Sequence, residues 1–187
     1  MKLILVRHGQ SQYNLENRFT GLADPDLTPK GIAEAHETGK LLKNQKIETA
    51  FVSQLIRAKH TLDIILEEIG IARVEIIETK ELNPRDYGKL TGLNKAESAK
   101  KFGEEQVHIW RRSFDVPPPG GESLEQTNNR IVPYFKTAIE PLLGRKNVLL
   151  VAHGNTLRAL IMYLENLNSE EIKKREVPNA KPIIYQF

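Results

Sequence analysis

Two separate runs of branched apolar residues each end abruptly in His-Gly, and this recurrence constrains the chain more than any other feature. Leu3, Ile4, Leu5 and Val6 lead into Arg7-His8-Gly9, and Val148 to Ala152 lead into His153-Gly154-Asn155. Such short uninterrupted apolar runs read as strands covered on both faces. The residues after each run are chemically opposite: an imidazole, a glycine that permits close backbone approach, and polar side chains. Open α/β sheets bind their ligands at the carboxyl ends of strands, so both segments point to one end of such a sheet. A single His at a strand end is most often only a solvated side chain. The Arg-His-Gly triplet alone is expected by chance in roughly one chain in a hundred of this size, and a second strand-His-Gly makes coincidence a poor explanation.

With 187 residues the sequence has the length of one domain, expected to span residues 1–187, and it can bury a sizeable core. It has no cysteine, which excludes disulfides, thiolate catalysis and Cys-based metal sites and suits a reducing compartment. The four apolar residues between Lys2 and Arg7 are too few for a signal peptide, and no later run has the length of a membrane span. A soluble, cytoplasmic protein without membrane contact is the expectation. The 27 Lys and Arg exceed the 24 Asp and Glu by three, without a basic block or interleaved aromatics, so no nucleic-acid partner is expected.

Along the chain, Thr28-Pro29 supplies an N-cap and a first helical proline, with Ile32, Ala35, Gly39 and Leu42 as the buried stripe of a helix to about Lys43. Thr49 to Val52 reads as a strand closing at Ser53, which can cap the next helix. That helix buries Leu55, Ala58, Leu62, Ile65, Leu66 and Ile69, and Arg57 lies off the stripe. Val74 to Leu82 reads as a third strand, followed by a loop over residues 83–88. The order β-α-β-α-β predicts a mainly parallel sheet with helices on both faces. Short helices around residues 95–97 and 104–111 precede Val116-Pro117-Pro118-Pro119-Gly120-Gly121, which cannot be helical. Residues 90–122 therefore read as a lid-like insertion. Ser123 and Gln126 form a capping box for a helix on Leu124, Ile131, Phe135 and Ile139, with Pro133 predicting a kink. A helix on Leu157, Leu160, Ile161 and Leu164 comes after the second His-Gly strand. A short helix from Ser169 and an edge strand within Pro182 to Phe187 complete the pattern.

An imidazole with arginines close by serves proton transfer or nucleophilic attack on a phosphoryl group. The latter needs neutralised equatorial oxygens and an in-line nucleophile. Arg7, Arg57, Arg111 and Arg112 are the candidate cations. His8, His36, His60, His108 and His153 offer no short metal-ligand spacing and no Walker loop is present, so neither a metal nor an NTP is expected.

Several longer segments are more specific: Leu5 to Gly9, Asn17-Arg18-Phe19-Thr20-Gly21, Leu93-Asn94-Lys95-Ala96-Glu97, Trp110-Arg111-Arg112, and His153-Gly154-Asn155 with Leu157 to Leu160. Together, over nearly the whole chain, they resemble the 2,3-bisphosphoglycerate-dependent phosphoglycerate mutases of the histidine phosphatase superfamily. The resemblance implies a three-layer α/β sandwich with a mainly parallel sheet. It also implies interconversion of 3- and 2-phosphoglycerate in glycolysis and gluconeogenesis through a phosphohistidine, primed by 2,3-bisphosphoglycerate without a metal. By the same resemblance His8 would be the nucleophile and His153 would stabilise the transferring group. Arg7, Arg57 and Asn14 would bind phosphoryl oxygens, with Ser11, Gly154 and Asn155 completing that end. Thr20 and Gly21 would contact the glycerate, and Tyr87, Lys95, Arg111 and Arg112 would grip the second phosphate or carboxylate. Relatives form dimers or tetramers, so a homo-oligomer is expected.

The chain departs from the family at two places. Pro84 stands where the family carries a glutamate that exchanges a proton with the substrate hydroxyl; proline can neither give nor take one, and Asp86 is the nearest substitute acid. The chain also passes from Pro119 straight to Gly120-Gly121-Glu122 and stops at Phe187. A shorter cover admits water, which competes for a phosphohistidine and favours a phosphomonoesterase. A phosphate-ligand binding protein with weakened catalysis is the further alternative that Pro84 leaves open.

Overall fold

The computed structural model describes residues 1–71 and 73–187. Five strands, β1 (Lys2–Arg7), β2 (Thr49–Ser53), β3 (Glu75–Thr79), β4 (Val148–Ala152) and β5 (Ile183–Gln186), form one sheet in the order β3-β2-β4-β1-β5. The β1–β4, β2–β4 and β2–β3 pairs are parallel, and β5 runs antiparallel along the edge of β1. The helices are α1 (Gln12–Leu15), α2 (Pro29–Leu42), α3 (Ile56–Ile69), α4 (Lys95–Phe102), α5 (Glu104–Arg112), α6 (Leu124–Tyr134), α7 (Gly154–Leu164) and α8 (Ser169–Lys174).

Alternation along the central strands builds two cores. Leu3 and Leu5 of β1 and Leu150 of β4 point to one face, where they meet Leu124, Ile131 and Phe135 from the α6 segment and Leu157, Leu160 and Ile161 of α7. Ile4, Val6, Leu149 and Val151 point to the other, against Leu42 of α2 and Ala58, Leu62 and Ile65 of α3. The molecule is thus a three-layer α/β sandwich. A third, smaller cluster of Phe19, Leu90 and Val107, with Tyr87, Ala99 and Trp110 against it, joins α4 and α5 to the loop after α1.

The structure corrects three local expectations. In α2 the buried positions include Gly31 and Thr38, whereas Ile32 is exposed. Gly31 is required there because a Cβ on it would stand 2.1 Å from the Gln10 carbonyl oxygen, so the helix rides directly on the turn after β1. The third strand stops at Thr79, whose hydroxyl accepts from the Glu81 N–H and starts a 3₁₀ turn over Lys80–Leu82. Leu55, not Ser53, is the N-cap of α3 and makes no side-chain cap, which leaves Ser53 for another partner. Pro133 lies inside α6, and the helix continues from Phe135 to Ile139 in the wider π form, a recognised way of absorbing a lost backbone donor.

Candidate active site

Register brings the two histidines together. Arg7 pairs with Ala152 in the parallel β1–β4 ladder, and the His8 N–H donates to the Ala152 carbonyl at 3.0 Å, so His8 and His153 leave neighbouring strands side by side. Their ring centroids are 5.0 Å apart. Both rings are buried, His8 at 4% and His153 at 3% exposure. On the next strand Ser53 reaches His153, Oγ to Nε2 at 2.6 Å.

The hydrogen bond to His8 determines where that ring carries its proton. His8 Nδ1 lies 2.7 Å from the Gly9 carbonyl, which can only accept, so Nδ1 is protonated and Nε2 keeps a free lone pair. Buried Ser53 accepts from the Leu55 N–H and its Oγ pairs with His153 Nε2, which fixes the orientation of the His153 ring. His153 Nδ1 is buried without a partner among the described residues. Burial, reinforced by Arg57 and Arg7, pushes His8 well below the ordinary histidine range. Burial and then Arg57, His8 and Arg7 do the same to His153. Both rings are neutral at pH 7, and His8 offers a lone pair.

A cavity of about 180 Å³ opens above them. Arg7, His8, Asn14, Thr20, Gly21, Arg57, Tyr87, Lys95, Arg111, Arg112, His153, Gly154 and Asn155 all line it. Arg57, taken from the sequence as lying off the buried stripe, is 1% exposed. Its guanidinium donates to the Ala23 carbonyl at 2.9 Å and the Gly21 carbonyl at 3.2 Å. Burial lowers it to about 10, so it stays charged at neutral pH. Gly154 begins α7, whose N-terminus faces the same space; a Cβ there would press against the Arg7 guanidinium at 3.4 Å. Asn155 donates to the Tyr87 hydroxyl at 3.0 Å and accepts from Arg158 at 3.1 Å. Lys95, beside the Phe19 ring, is lowered to about 8 by burial and by Arg111, Arg7 and Arg112.

Two residues selected from the sequence lie outside the lining. Ser11 is the buried N-cap of α1; its hydroxyl accepts from the Asn14 N–H, and the Asn14 side chain accepts from the Ser11 N–H. It orients Asn14 and does not reach the cavity. Asp86 turns its carboxylate to the Gly88 N–H at 2.8 Å, an Asx turn that commits it to its own loop. Pro84 itself is buried in the cavity wall.

Sequence reasoning missed Arg18, Arg85, Arg158, Glu176, Val177 and Ser53. Arg158 was within reach of pattern arguments, since it stands three and four residues beyond Asn155 and Gly154 on one helix face. Seven arginines and Lys95 face a single lining carboxylate, Glu176, which pairs with Arg112 at 2.6 Å. A lining with this excess of fixed positive charge is built for an anion. No group of three His, Cys, Asp or Glu able to hold a metal occurs among the described residues, and none of their helices is long and apolar enough to cross a membrane.

The profile of the histidine phosphatase superfamily (branch 1) matches residues 3–187. The chain belongs to this superfamily. Within the superfamily it is 56% identical to the 2,3-bisphosphoglycerate-dependent phosphoglycerate mutases of Nitrobacter hamburgensis and Bradyrhizobium diazoefficiens, over 99% of this chain and 91% of each of theirs. Among solved histidine phosphatase-like structures, a mycobacterial glucosyl-3-phosphoglycerate phosphatase in complex with VO3 superposes with a TM-score of 0.86 at 27% identity, covering 98% of this chain and 90% of that one. A putative alpha-ribazole-5'-P phosphatase from Escherichia coli gives 0.84 at 25% identity, with 98% and 89% covered.

Proposed function

We infer that this protein interconverts 3-phosphoglycerate and 2-phosphoglycerate through a phosphohistidine, with 2,3-bisphosphoglycerate as its cofactor. The observation that carries the chemistry is the pair of neutral imidazoles 5.0 Å apart in a cavity lined by seven arginines and Lys95. The choice of substrate comes from the mutase relatives. The cofactor fits the donor set, since Arg7 and Arg57 beside the two imidazoles suit one phosphoryl group and Lys95, Arg111 and Arg112 suit the second anionic end. When bound, it supplies the phosphoryl group that primes His8.

In the transfer, the free hydroxyl of 3-phosphoglycerate attacks the phosphorus carried on primed His8 and gives up its proton as the N–P bond breaks. In the return half, the His8 Nε2 lone pair attacks the phosphorus on the other glycerate oxygen, that P–O bond breaks, and the freed oxygen takes up a proton, leaving 2-phosphoglycerate and a recharged His8. Arg7, Arg57 and His153 hold the equatorial oxygens throughout, which is where most of the rate enhancement of phosphoryl transfer originates. Asn14 and Asn155 complete the phosphoryl end, Thr20 and Gly21 contact the glycerate, and Tyr87 joins Lys95, Arg111 and Arg112 on the second anionic end. With Pro84 in the wall and Asp86 held by Gly88, water or the phosphoryl group's own oxygen carries the proton. Loss of a carboxyl acid costs about 10²- to 10⁴-fold, so turnover is slow for this chemistry. Residues 90–122 act as the cover of a single domain spanning 1–187, and the protein works in the cytoplasm as a dimer or tetramer.

The test is turnover of 3-phosphoglycerate with catalytic bisphosphoglycerate, alongside release of inorganic phosphate. Isomer formation that disappears in His8→Ala is the expected result. No turnover above that variant overturns the reading, and phosphate release faster than isomer formation favours a phosphomonoesterase. That second reading draws on the likeness to the solved phosphatase structures.

A further inference from the structure

The peptide unit that joins His8 to Gly9 is held at both of its polar atoms by side chains from remote parts of the chain. Its carbonyl, on His8, accepts from the Asn179 side-chain amide at 2.7 Å. Its N–H, on Gly9, donates to Thr61 Oγ1 of α3 at 3.1 Å. The Thr61 hydroxyl proton is already donated to the Arg57 carbonyl at 2.7 Å, so its oxygen presents a lone pair to Gly9 and cannot turn round to donate.

This peptide needs an external clamp because Gly9 cannot carry a side chain: a Cβ there would lie 2.3 Å from the Gly31 carbonyl oxygen. A glycine beside a reactive ring leaves the neighbouring peptide planes free to rotate. Rotation would matter here, because the acceptor that fixes the His8 ring is the Gly9 carbonyl. That carbonyl belongs to the next peptide unit, whose Gln10 N–H donates to Glu34 Oε2 at 2.8 Å, so it keeps its place beside the ring only while the peptides on both sides of Gly9 are held. If it swings relative to the ring, Nδ1 loses its acceptor, and nothing then keeps the proton off Nε2, the atom that must hold the lone pair.

Asn179 is in turn anchored. The Ala180 N–H donates to the Arg7 carbonyl at 2.8 Å, and the Ala180 carbonyl accepts from Thr38 of α2 at 2.6 Å. Arg7 itself donates to the Val177 carbonyl at 2.8 Å. Ala180 is buried with φ +47°, a left-handed conformation that an alanine adopts only where its surroundings impose it. Such outliers gather where geometry serves function, and this one turns Asn179 towards His8.

We propose that Asn179 and Thr61 are positioning residues that clamp the His8–Gly9 peptide and so hold the His8 ring with Nδ1 protonated and Nε2 free. This rests on the reading of His8 as the nucleophile, and the test separates the two. Asn179→Asp keeps the shape but, ionised, has no N–H to donate; Thr61→Val keeps the shape without the oxygen; Asn179→Ala is the uncharged control should the aspartate disturb folding. Each is measured for kcat and KM with 3-phosphoglycerate, for Tm, and by 15N NMR of the histidine side chains, with His8→Ala assigning the His8 signals. The expected result is a kcat lower by about ten- to a hundredfold, the size of effect a small displacement of a reacting group produces. KM stays within about twofold, as for a group acting on the chemical step alone. The His8 spectrum moves from a single Nδ1-protonated form to a mixture. Unchanged kcat and an unchanged His8 tautomer in these variants overturn the clamp. So does a loss of kcat that tracks Tm and KM while the tautomer stays fixed. A parent protein without turnover, whose His8 tautomer still shifts in the variants, supports the clamp and refutes the assigned function instead.

Discussion

The inner and outer halves of the cavity are built on opposite principles. At the inner end, His8, His153, Arg7 and Arg57 stand at the ends of central strands and in the first turn of α3, and the two guanidiniums are anchored on backbone carbonyls, Arg7 on Val177 and Arg57 on Gly21 and Ala23. At the rim, the contacts run between side chains that a ligand can compete for: Arg112 with Glu176, Asn155 with Tyr87, Arg158 with Asn155. The inner end is preorganised for an anion and needs no rearrangement when one arrives. The rim must exchange partners. Inner changes should therefore act on kcat and rim changes on KM.

The comparison breaks most decisively at His8. His8→Ala should lower mutase turnover by on the order of 10⁴-fold or more, as removal of a nucleophile does elsewhere. Retained turnover in a coupled assay would remove the inner end's assigned role. Arg57→Ala comes next, with about a 10²- to 10³-fold fall in kcat, the usual cost of one preorganised transition-state donor. If KM rose and kcat held, Arg57 would belong functionally to the rim.

Pro84→Glu probes the boundary between the halves. It restores a carboxyl to the cavity wall, and kcat should rise by about a hundredfold, the lower bound of what a general acid contributes. An unchanged rate would mean that protonation does not limit this enzyme.

Rim effects are smaller and sensitive to conditions. Lys95 titrates at about 8, against its ordinary 10.5. Raising the pH through 8 removes its charge, so KM for phosphoglycerate should climb above that pH, and Lys95→Gln should abolish the climb. The sign for folding is opposite. Between about 8 and 10.5 the unfolded chain binds the proton that the folded one has released, so this residue's contribution to stability increases with pH across that window. Glu176→Gln should have the least effect. The Glu176 carboxylate is 67% exposed, and such pairs contribute about 0–1 kcal/mol, so freeing Arg112 should lower KM only a few-fold.

The same division explains what could be read from the sequence. The strand-His-Gly repeats revealed the sheet and the meeting of the two rings, because apolar runs report burial and parallel register then aligns their ends. Arg57 was named, but its first-turn position in α3 could not show that it would be fully buried against the Gly21 and Ala23 carbonyls. Ser53 looked like a helix cap, a local role, whereas its partner is His153, a hundred residues away. Glu176, Val177 and Asn179 lie in a segment with no periodicity, so their approach to Arg112, Arg7 and His8 is visible only in three dimensions. Asp86 lies outside the cavity lining for a local reason that spacing does not reveal: its Oδ1 closes an Asx turn with the Gly88 N–H.

The most direct test of His8 as the phosphoryl carrier is to load the protein with 32P-labelled 2,3-bisphosphoglycerate and find the labelled residue. The expected product is an alkali-stable, acid-labile phosphohistidine at His8, discharged by unlabelled phosphoglycerate and absent from His8→Ala. Label on another residue, label that survives the His8→Ala change, or turnover without any labelled protein would contradict it.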